Sequence, residues 1–176
     1  MYTDTIRLVK ILAHNMYHKR KLFSLLKEHL GRKQITVLTG MRRTGKTTLL
    51  KHLLADEPSV NKLYIDLERI DNRELFFEKN YDNIIIALQN RGLDFKKKTL
   101  IAIDEIQLVS NISSVLKYLY DHFHIKFIVT GSSSYYLKNL FSESLAGRKK
   151  IFELYPLDFG EFLVFKEIDA LQKTFY

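Results

Sequence analysis

The chain has 176 residues and is 46% hydrophobic, which is enough to bury a core and favours one domain. Its formal net charge is +8 and its isoelectric point is about 9.5, a balance that favours anionic partners such as nucleotides, nucleic acids or acidic protein surfaces. The absence of cysteine excludes a disulfide framework and a thiolate metal site. No stretch approaches the roughly 20 uncharged apolar residues of a membrane span, and the first apolar run is too interrupted for a signal peptide. The composition therefore predicts a soluble, cytoplasmic protein.

Helix-like and strand-like patterns alternate along the chain. Apolar residues three and four apart in HKRKLFSLLKEHLG predict a first helix that ends at Gly31. Short runs rich in β-branched and aromatic residues predict five strands, at residues 34–39, 62–67, 99–105, 125–131 and 149–155. Helical patterns separate most of these strands, and they include Lys46–Leu54, Tyr81–Asn90 and Ile112–His122. The alternation indicates an α/β fold with a mainly parallel sheet that helices cover on both faces.

A last helical pattern lies at the end of the chain. Asp158 precedes the sequence FGEFLVF and is a candidate N-cap for a helix there. An amphipathic, aromatic helix in this position has two interpretations. Either the chain continues in a longer parent protein, or the helix folds back.

A glycine-bounded motif lies between the first predicted strand and the next helix. Residues Gly40–Thr47, GMRRTGKT, match the phosphate-loop pattern G-x-x-x-x-G-K-[ST]. The glycines let the backbone curl until successive N–H groups point at phosphate oxygens, and the following helix adds the positive end of its dipole. Lys46 would reach the β and γ phosphates, and the Thr47 hydroxyl would bind Mg²⁺. The motif predicts a nucleotide-binding loop made of Gly40, Met41, Arg42, Arg43, Thr44, Gly45, Lys46, Thr47 and Thr48.

Two adjacent carboxylates end the third predicted strand, in LIAIDEIQ. A buried parallel strand that ends in Asp104 places this carboxylate at the carboxyl edge of the sheet, where ligands of open α/β sheets bind. We expect Asp104 to hold Mg²⁺ through water, and Glu105 to polarise the water that attacks the γ phosphate. The alternative is a solvated strand end.

Small polar residues follow the fourth predicted strand, in FIVTGSSSYYL. Thr130, Ser132 and Ser133 are candidates to hydrogen-bond the γ phosphate or the attacking water. The same sequence is typical of a turn and helix cap. The residues alone leave both interpretations open.

Basic residues precede the last strand. Arg148 follows a small-residue turn, and its guanidinium is a candidate arginine finger for a phosphate. The alternative is a solvated surface arginine. Two basic runs, Lys96–Lys98 and Arg148–Lys150, suggest a DNA or protein partner, although a solvated charged face is the simpler interpretation.

Taken in order, these motifs resemble those of P-loop ATPases of the AAA+ superfamily. Bacterial and archaeal AAA-domain proteins of this kind run TG-x-R-R-x-GKTTLL, DEIQ, TGSSS and LAGR…ELYPL-x-F-x-EF. Here the motifs read TGMRRTGKTTLL, DEIQ, TGSSS and LAGRKKIFELYPLDFGEFL, and the resemblance spans roughly residue 18 to the end. It implies a three-layer P-loop NTPase fold whose five-stranded parallel sheet has the order 5-1-4-3-2.

The resemblance also implies ligands and roles. It implies ATP with Mg²⁺, Asp104 on the metal, Glu105 as catalytic carboxylate and Ser132–Ser134 as the first sensor segment, where other AAA+ proteins often carry asparagine. Arg148 matches the arginine of LAGR, which implies a phosphate-sensing arginine acting in its own subunit or a neighbouring one of a homo-oligomer. With Lys46 and Glu105 it completes the set of catalytic candidates.

The family pattern further suggests how the chain is divided. We expect residues 1–30 to form a helical segment on the core, residues 31–157 to form the ATPase core, and residues 158–176 to begin a C-terminal helix. Longer family members carry a further C-terminal domain after this point, and we expect the helix at residues 158–176 to lead towards such a domain.

The leading functional hypothesis is an AAA+ module that binds and hydrolyses Mg-ATP to drive a conformational change. The alternative is a nucleotide-gated switch that binds DNA or protein with little hydrolysis. A small-molecule kinase shares the phosphate loop, but adjacent carboxylates suit water activation better. No Asn-Lys-x-Asp signature follows the core strands, which disfavours GTP.

Overall fold

A computed structural model describes residues 18–132 and 145–166 of the chain. The described residues fall into two compact units, one within residues 22–156 and one that combines residues 18–21 with 157–166. The predicted division at residues 30 and 157 stays a prediction. Within the described residues, no helix is both long and apolar enough to cross a membrane.

Strands and helices alternate in the larger unit. The strands are β1 Ile35–Thr39, β2 Lys62–Asp66, β3 Thr99–Asp104, β4 Ile125–Gly131 and β5 Lys149–Glu153. The helices are α1 Leu22–His29, α2 Lys46–Asp56, α3 Ile70–Phe77, α4 Tyr81–Asn90 and α5 Ile112–His122. The predicted strands and helices of this unit are confirmed. Their ends move by about two residues at most, except that α1 begins at Leu22, four residues after the start of its sequence pattern. Two elements were not predicted: α3, which buries only Leu75 and Phe76, and a short 3₁₀ helix at Ile106–Leu108.

The strands form one parallel sheet in the order β2-β3-β4-β1-β5. This is the predicted order 5-1-4-3-2 read from the other side, so the expected P-loop NTPase topology is confirmed. The three motif-bearing strands β3, β4 and β1 are consecutive neighbours, with Ile103 beside Val129 and Thr39 beside Gly131. The segments that follow them therefore meet at one edge of the sheet.

Apolar side chains cover both faces of the sheet, as expected for parallel strands between helices. One face belongs to the larger core, where Ile103 and Val129 pack with side chains of α4 and α5 such as Leu88 and Leu116. The other face carries a smaller cluster in which Ala102 and Ile128 pack with Leu50 of α2 and with Leu30 after α1. The result is a three-layer α/β/α arrangement.

The smaller unit contains helix α6, Phe159–Phe165. Asp158 caps it: its carboxylate accepts from the N–H of Glu161, whose side chain accepts in return from the N–H of Asp158. The predicted cap is therefore confirmed. In the same unit Arg20 Nε donates to Glu161 Oε1 at 3.0 Å, and both side chains are only 7% exposed.

Candidate functional site

Left-handed backbone conformations shape the loop after β1. The φ angle is 147° at Gly40, 63° at Arg43 and 93° at Gly45. A β-carbon on Gly40 would overlap the carbonyl oxygen of Leu154. The chain passes this close because the N–H of Leu154 donates to the carbonyl of Thr39 at 2.7 Å. Glycine at position 40 is therefore required both by its φ angle and by its neighbour.

Lys46 immediately follows this loop, and its side chain bonds back to the loop backbone. It is the first residue of α2 and only 4% exposed, and its ammonium donates to the carbonyls of Gly40 at 3.0 Å and Met41 at 2.7 Å. Burial lowers the pKa of Lys46, and the negative charges of Glu105 and Asp104 act against this change. Helix α2 begins after Gly45 without a side-chain cap. Its first N–H groups are consequently available to an anion held by the loop.

Asp104, the last residue of β3, is held by two hydroxyl groups. It is 2% exposed; Tyr64 donates to its Oδ2 at 3.0 Å, and Thr130 donates to its Oδ1. Thr130 also accepts the backbone N–H of Glu105 at 3.1 Å. Burial and the charge of Asp104 raise the pKa of Tyr64, so the phenol stays a proton donor. The Thr130 hydroxyl is buried and is bonded to Asp104 and Glu105 here, so its contact with a γ phosphate or the attacking water stays a prediction.

Glu105 has a left-handed backbone, with φ 56°, although it is not glycine. Its carboxylate accepts a hydrogen bond from the side-chain amide of Gln107, and the same amide nitrogen donates to Ser132 Oγ at 3.0 Å. Gln107 therefore joins two of the predicted site residues. The buried Oε1 of Gln107 has no hydrogen-bond partner among the residues that the structure describes.

Three of these residues, Lys46, Glu105 and Gln107, border one cavity at the carboxyl edge of the sheet. Its volume is about 580 Å³, which is within the usual size of small-molecule sites. Cations of the phosphate loop and the carboxylate of Glu105 face the same space. The lining residues are Arg42, Arg43, Gly45, Lys46, Thr47, Thr48, Glu68, Glu105, Gln107 and Leu108.

Arg148 lies apart from this cavity. It immediately precedes β5, and its backbone carbonyl accepts a hydrogen bond from the N–H of Ile35, the first residue of β1, at 2.8 Å. Its guanidinium forms a bidentate ion pair with the carboxylate of Asp121, with N–O distances of 2.9 and 3.1 Å. It therefore stands at the amino edge of the sheet, a strand's length of roughly 16 Å from the edge with the phosphate loop. It does not join the site of its own subunit, and a role in a neighbouring subunit stays a prediction. Ser133 and Ser134 lie outside the described residues.

Three residues of this region had no predicted role. Gln107 is the last residue of the DEIQ motif, and the motif alone predicts no role for it. Glu68 follows the carboxyl end of β2. Because ligands of open α/β sheets bind at this edge, its position in the sequence could have predicted that it lies near the site. Tyr64 points its hydroxyl from β2 at a carboxylate on β3, and this contact has no signature along the sequence.

The AAA domain family matches residues 32–163 of the chain. This chain belongs to that family. With the observed fold, membership identifies it as a P-loop AAA+ ATPase domain, as the motifs predict. An uncharacterized protein of Methanocaldococcus jannaschii is 30% identical over 174 residues, covering 92% of this chain and 36% of that protein. An uncharacterized protein of Haemophilus influenzae is 30% identical over 141 residues, covering 77% and 34%.

Two solved structures share the fold. A Walker-type ATPase of Pyrococcus abyssi superposes with a TM-score of 0.61 at 22% identity, covering 86% of this chain and 57% of that one. Domain III of the replication initiation protein DnaA from Thermotoga maritima superposes with a TM-score of 0.56 at 14% identity, covering 87% and 70%. The chain spans about a third of the length of the curated relatives it matches.

Proposed function

We propose that this AAA domain binds Mg-ATP and hydrolyses it to drive a conformational change. The observation that carries the proposal is the cavity at the carboxyl edge, where the ammonium of Lys46, the start of α2 and the carboxylate of Glu105 border one space. Cations and helix N–H groups bind phosphates, whereas a carboxylate beside them suits water activation.

The phosphate loop supplies the binding half of this proposal. Lys46 is buried and donates to carbonyls of its own loop, and burial disfavours its charged form. A polyphosphate in the loop would offset this cost with negative charge. Arg42 and Arg43 line the same cavity and add two further cations at its wall. The left-handed turns at Gly40 and Gly45 keep the backbone curled around the space that the phosphates would occupy.

The oxygen groups near Lys46 fit a magnesium ion. Thr47 lines the cavity with a hydroxyl, and Asp104 is close enough to act on the pKa of Lys46. Hydroxyl and carboxylate oxygens are the hard ligands that Mg²⁺ prefers, with water completing its coordination. When bound, the metal would neutralise charge on the phosphate oxygens. Tyr64 and Thr130 would keep the Asp104 carboxylate in one orientation, as outer groups around metal ligands do.

Glu105 is the candidate base for the attacking water. Its strained backbone is held by the hydrogen bond from its N–H to Thr130, and strain of this kind is concentrated at functional positions. Gln107 holds the Glu105 carboxylate and contacts Ser132, the first residue after β4. We infer that Gln107 is a positioning residue that couples the carboxylate to the segment after β4. A change in the phosphate state would pass along this contact to the rest of the protein.

Two substitutions distinguish the residues needed for ATP binding from those needed for its hydrolysis. Mg-ATP at 100 times its dissociation constant adds about 2.7 kcal/mol of stability, or about 5 to 11 °C in Tm for a domain of this size. We expect Lys46→Ala to lose this shift and to lose phosphate release. Glu105→Gln should keep the shift and lower phosphate release by at least about 100-fold. Lys79→Ala, which removes an exposed lysine away from the cavity, serves as the control.

The outcomes distinguish the functions. Equal phosphate release by Glu105→Gln and the wild type would remove Glu105 as the base. A thermal shift without phosphate release by the wild type would favour the nucleotide-gated switch. No shift with millimolar Mg-ATP would contradict the proposal as a whole.

A further inference from the structure

Cations from four separate segments meet at the amino edge of the sheet, opposite the phosphate loop. All strands of a parallel sheet begin at the same edge, so residues near their starts are neighbours in space even when they are distant in sequence. The strands β3, β4, β1 and β5 are consecutive in the sheet. The basic residues within three positions of their starts lie in four segments, 32–33, 96–98, 122–126 and 148–150. We call this surface the basic edge.

A small pocket lies within the basic edge. Its volume is about 150 Å³, and its polar lining comes from Arg32, Lys33, Lys98, His124 and Lys126 without any carboxylate. Glu57 lines a neighbouring cleft but not this pocket. The pocket is therefore a concave site with positive charge around it, which concentrates anions.

Part of the basic edge already has carboxylate partners, and part does not. Lys97 is paired with Asp94 and Arg148 with Asp121. In contrast, no ion pair joins Arg32, Lys98 or Lys150 to another of the described residues. These three cations are exposed and lie at the starts of β1, β3 and β5, where an external anion can reach them.

Like charges in the basic edge act on each other and on buried groups. Lys126 is 5% exposed, and burial together with the charge of Lys98 lowers its pKa to about 7. Its ammonium donates to the carbonyls of Arg32, at 2.9 Å, and Gln34, which fixes the backbone that carries Arg32 and Lys33. Burial also lowers the pKa of His29, and Lys126, Lys150 and Arg32 lower it further. Cations held this close without counter-charge repel each other, and a bound anion would relieve the repulsion.

We propose that the basic edge binds the phosphate backbone of a nucleic acid. Neighbouring strands lie about 4.8 Å apart, so the four strand starts span roughly 14 Å, a length that faces several successive phosphates. Such contacts carry affinity but no base sequence information. The binding is therefore independent of sequence and strongly dependent on salt.

An acidic protein surface fits the same face less well. Protein interfaces are built around buried apolar and aromatic anchors. Of the large hydrophobic side chains exposed among the described residues, only Val60 lies within three positions of a strand start, and it precedes β2, outside the basic edge. A phosphate backbone needs no apolar anchor, because cations alone bind it.

Salt-dependent binding of a labelled 20-nucleotide oligo(dT) tests the proposal by fluorescence anisotropy between 50 and 200 mM NaCl. Each contact to a single-stranded phosphate contributes about 0.7 to the slope of log affinity against log salt. We expect the double variant Arg32→Ala/Lys98→Ala to bind more weakly and to reduce the slope by about 1.4. The matched control, Lys79→Ala/Lys117→Ala, removes two charges from exposed lysines outside the basic edge and should leave the slope unchanged. The four side chains are exposed, and thermal unfolding of both variants checks that they fold.

Three outcomes would overturn the proposal. The first is no binding of the oligonucleotide at 50 mM NaCl. The second is an equal change of slope in the two double variants, which would mean that only net charge matters. The third is equally tight binding of labelled poly-L-glutamate that is lost in Arg32→Ala/Lys98→Ala, which would assign the face to an acidic polypeptide. None of these measurements requires ATP, so the result is independent of the proposed nucleotide site.

Discussion

The phenolic hydroxyl of Tyr64 on β2 donates a 3.0 Å hydrogen bond to the buried carboxylate of Asp104 on β3. A hydrogen bond to a charged group contributes about 1.5 to 3 kcal/mol. We expect Tyr64→Phe to lower the free energy of unfolding by about 1.5 kcal/mol, the lower end of that range because Thr130 still donates to the carboxylate. This corresponds to a fall in Tm of about 3 to 6 °C. If Asp104 holds magnesium, the Mg²⁺ concentration for half-maximal phosphate release should rise by about tenfold.

Tyr155 provides the matched control for this substitution. Its hydroxyl also donates to a carboxylate, that of Glu153 at 3.1 Å, but this pair is exposed to solvent. Tyr155→Phe should change stability by less than about 0.5 kcal/mol. Equal Tm values for Tyr64→Phe and the wild type would contradict a stabilising role of the buried contact.

Gln107 is expected to affect turnover without affecting nucleotide binding. Its amide contacts Glu105 and Ser132, so Gln107→Leu keeps the approximate size of the side chain and removes both hydrogen bonds. Loss of a positioning group typically lowers activity by about 10- to 100-fold. We expect kcat for phosphate release to fall within this range while the thermal shift with Mg-ATP is retained. Gln89→Leu, an exposed site on α4, makes the same chemical change away from the cavity. A rise in KM at constant kcat would instead indicate that Gln107 contributes to binding.

Alanine substitutions at two glycines distinguish the stability cost of backbone strain from that of steric overlap. Gly40 and Gly92 both have positive φ angles, 147° and 95°. An added β-carbon would meet Leu154 at position 40, whereas at position 92 nothing lies within 4 Å. Gly92→Ala should cost about 1 to 2 kcal/mol from its conformation alone. Gly40→Ala should cost about 1 to 3 kcal/mol more, because the overlap adds to the strain. Urea unfolding measures both, and equal losses would mean that the Leu154 segment moves away freely.

Lys126 should make stability depend on pH above neutrality. Its pKa in the folded protein is lowered to about 7 by burial and by Lys98, compared with the ordinary value of 10.5. Between these values the unfolded chain binds a proton that the folded protein does not, so stability increases as pH rises. Lys126→Met should lack this increase, and the two stability curves should diverge between about pH 7 and pH 10. Lys117→Met, at an exposed site on α5, should follow the wild type. Parallel curves for Lys126→Met and the wild type would show that Lys126 titrates normally.

Local patterns in the sequence were sufficient to place most elements and the central part of the candidate site. Alternating apolar runs and helical periodicity predict the strands and most helices, because each pattern lies within one element. The phosphate loop was predictable for a related reason: its glycines, Lys46 and Thr47 are contiguous in the chain. Asp104 was predictable because a parallel topology brings the carboxyl end of every strand to one edge. Helix α3 was missed because it buries few of its side chains.

Contacts between segments that are distant in the sequence could be determined only from the tertiary structure. The hydroxyl of Tyr64 reaches Asp104 across 40 positions of sequence, and Thr130 turns inward to the same carboxylate. Strand polarity puts Arg148 at the amino edge, beside Asp121 and far from the phosphate loop. The same polarity gathers basic runs that look unrelated in the sequence into one surface. Residue type and spacing specify which chemistry a segment carries, but the strand order and the packing of side chains determine which segments share a site.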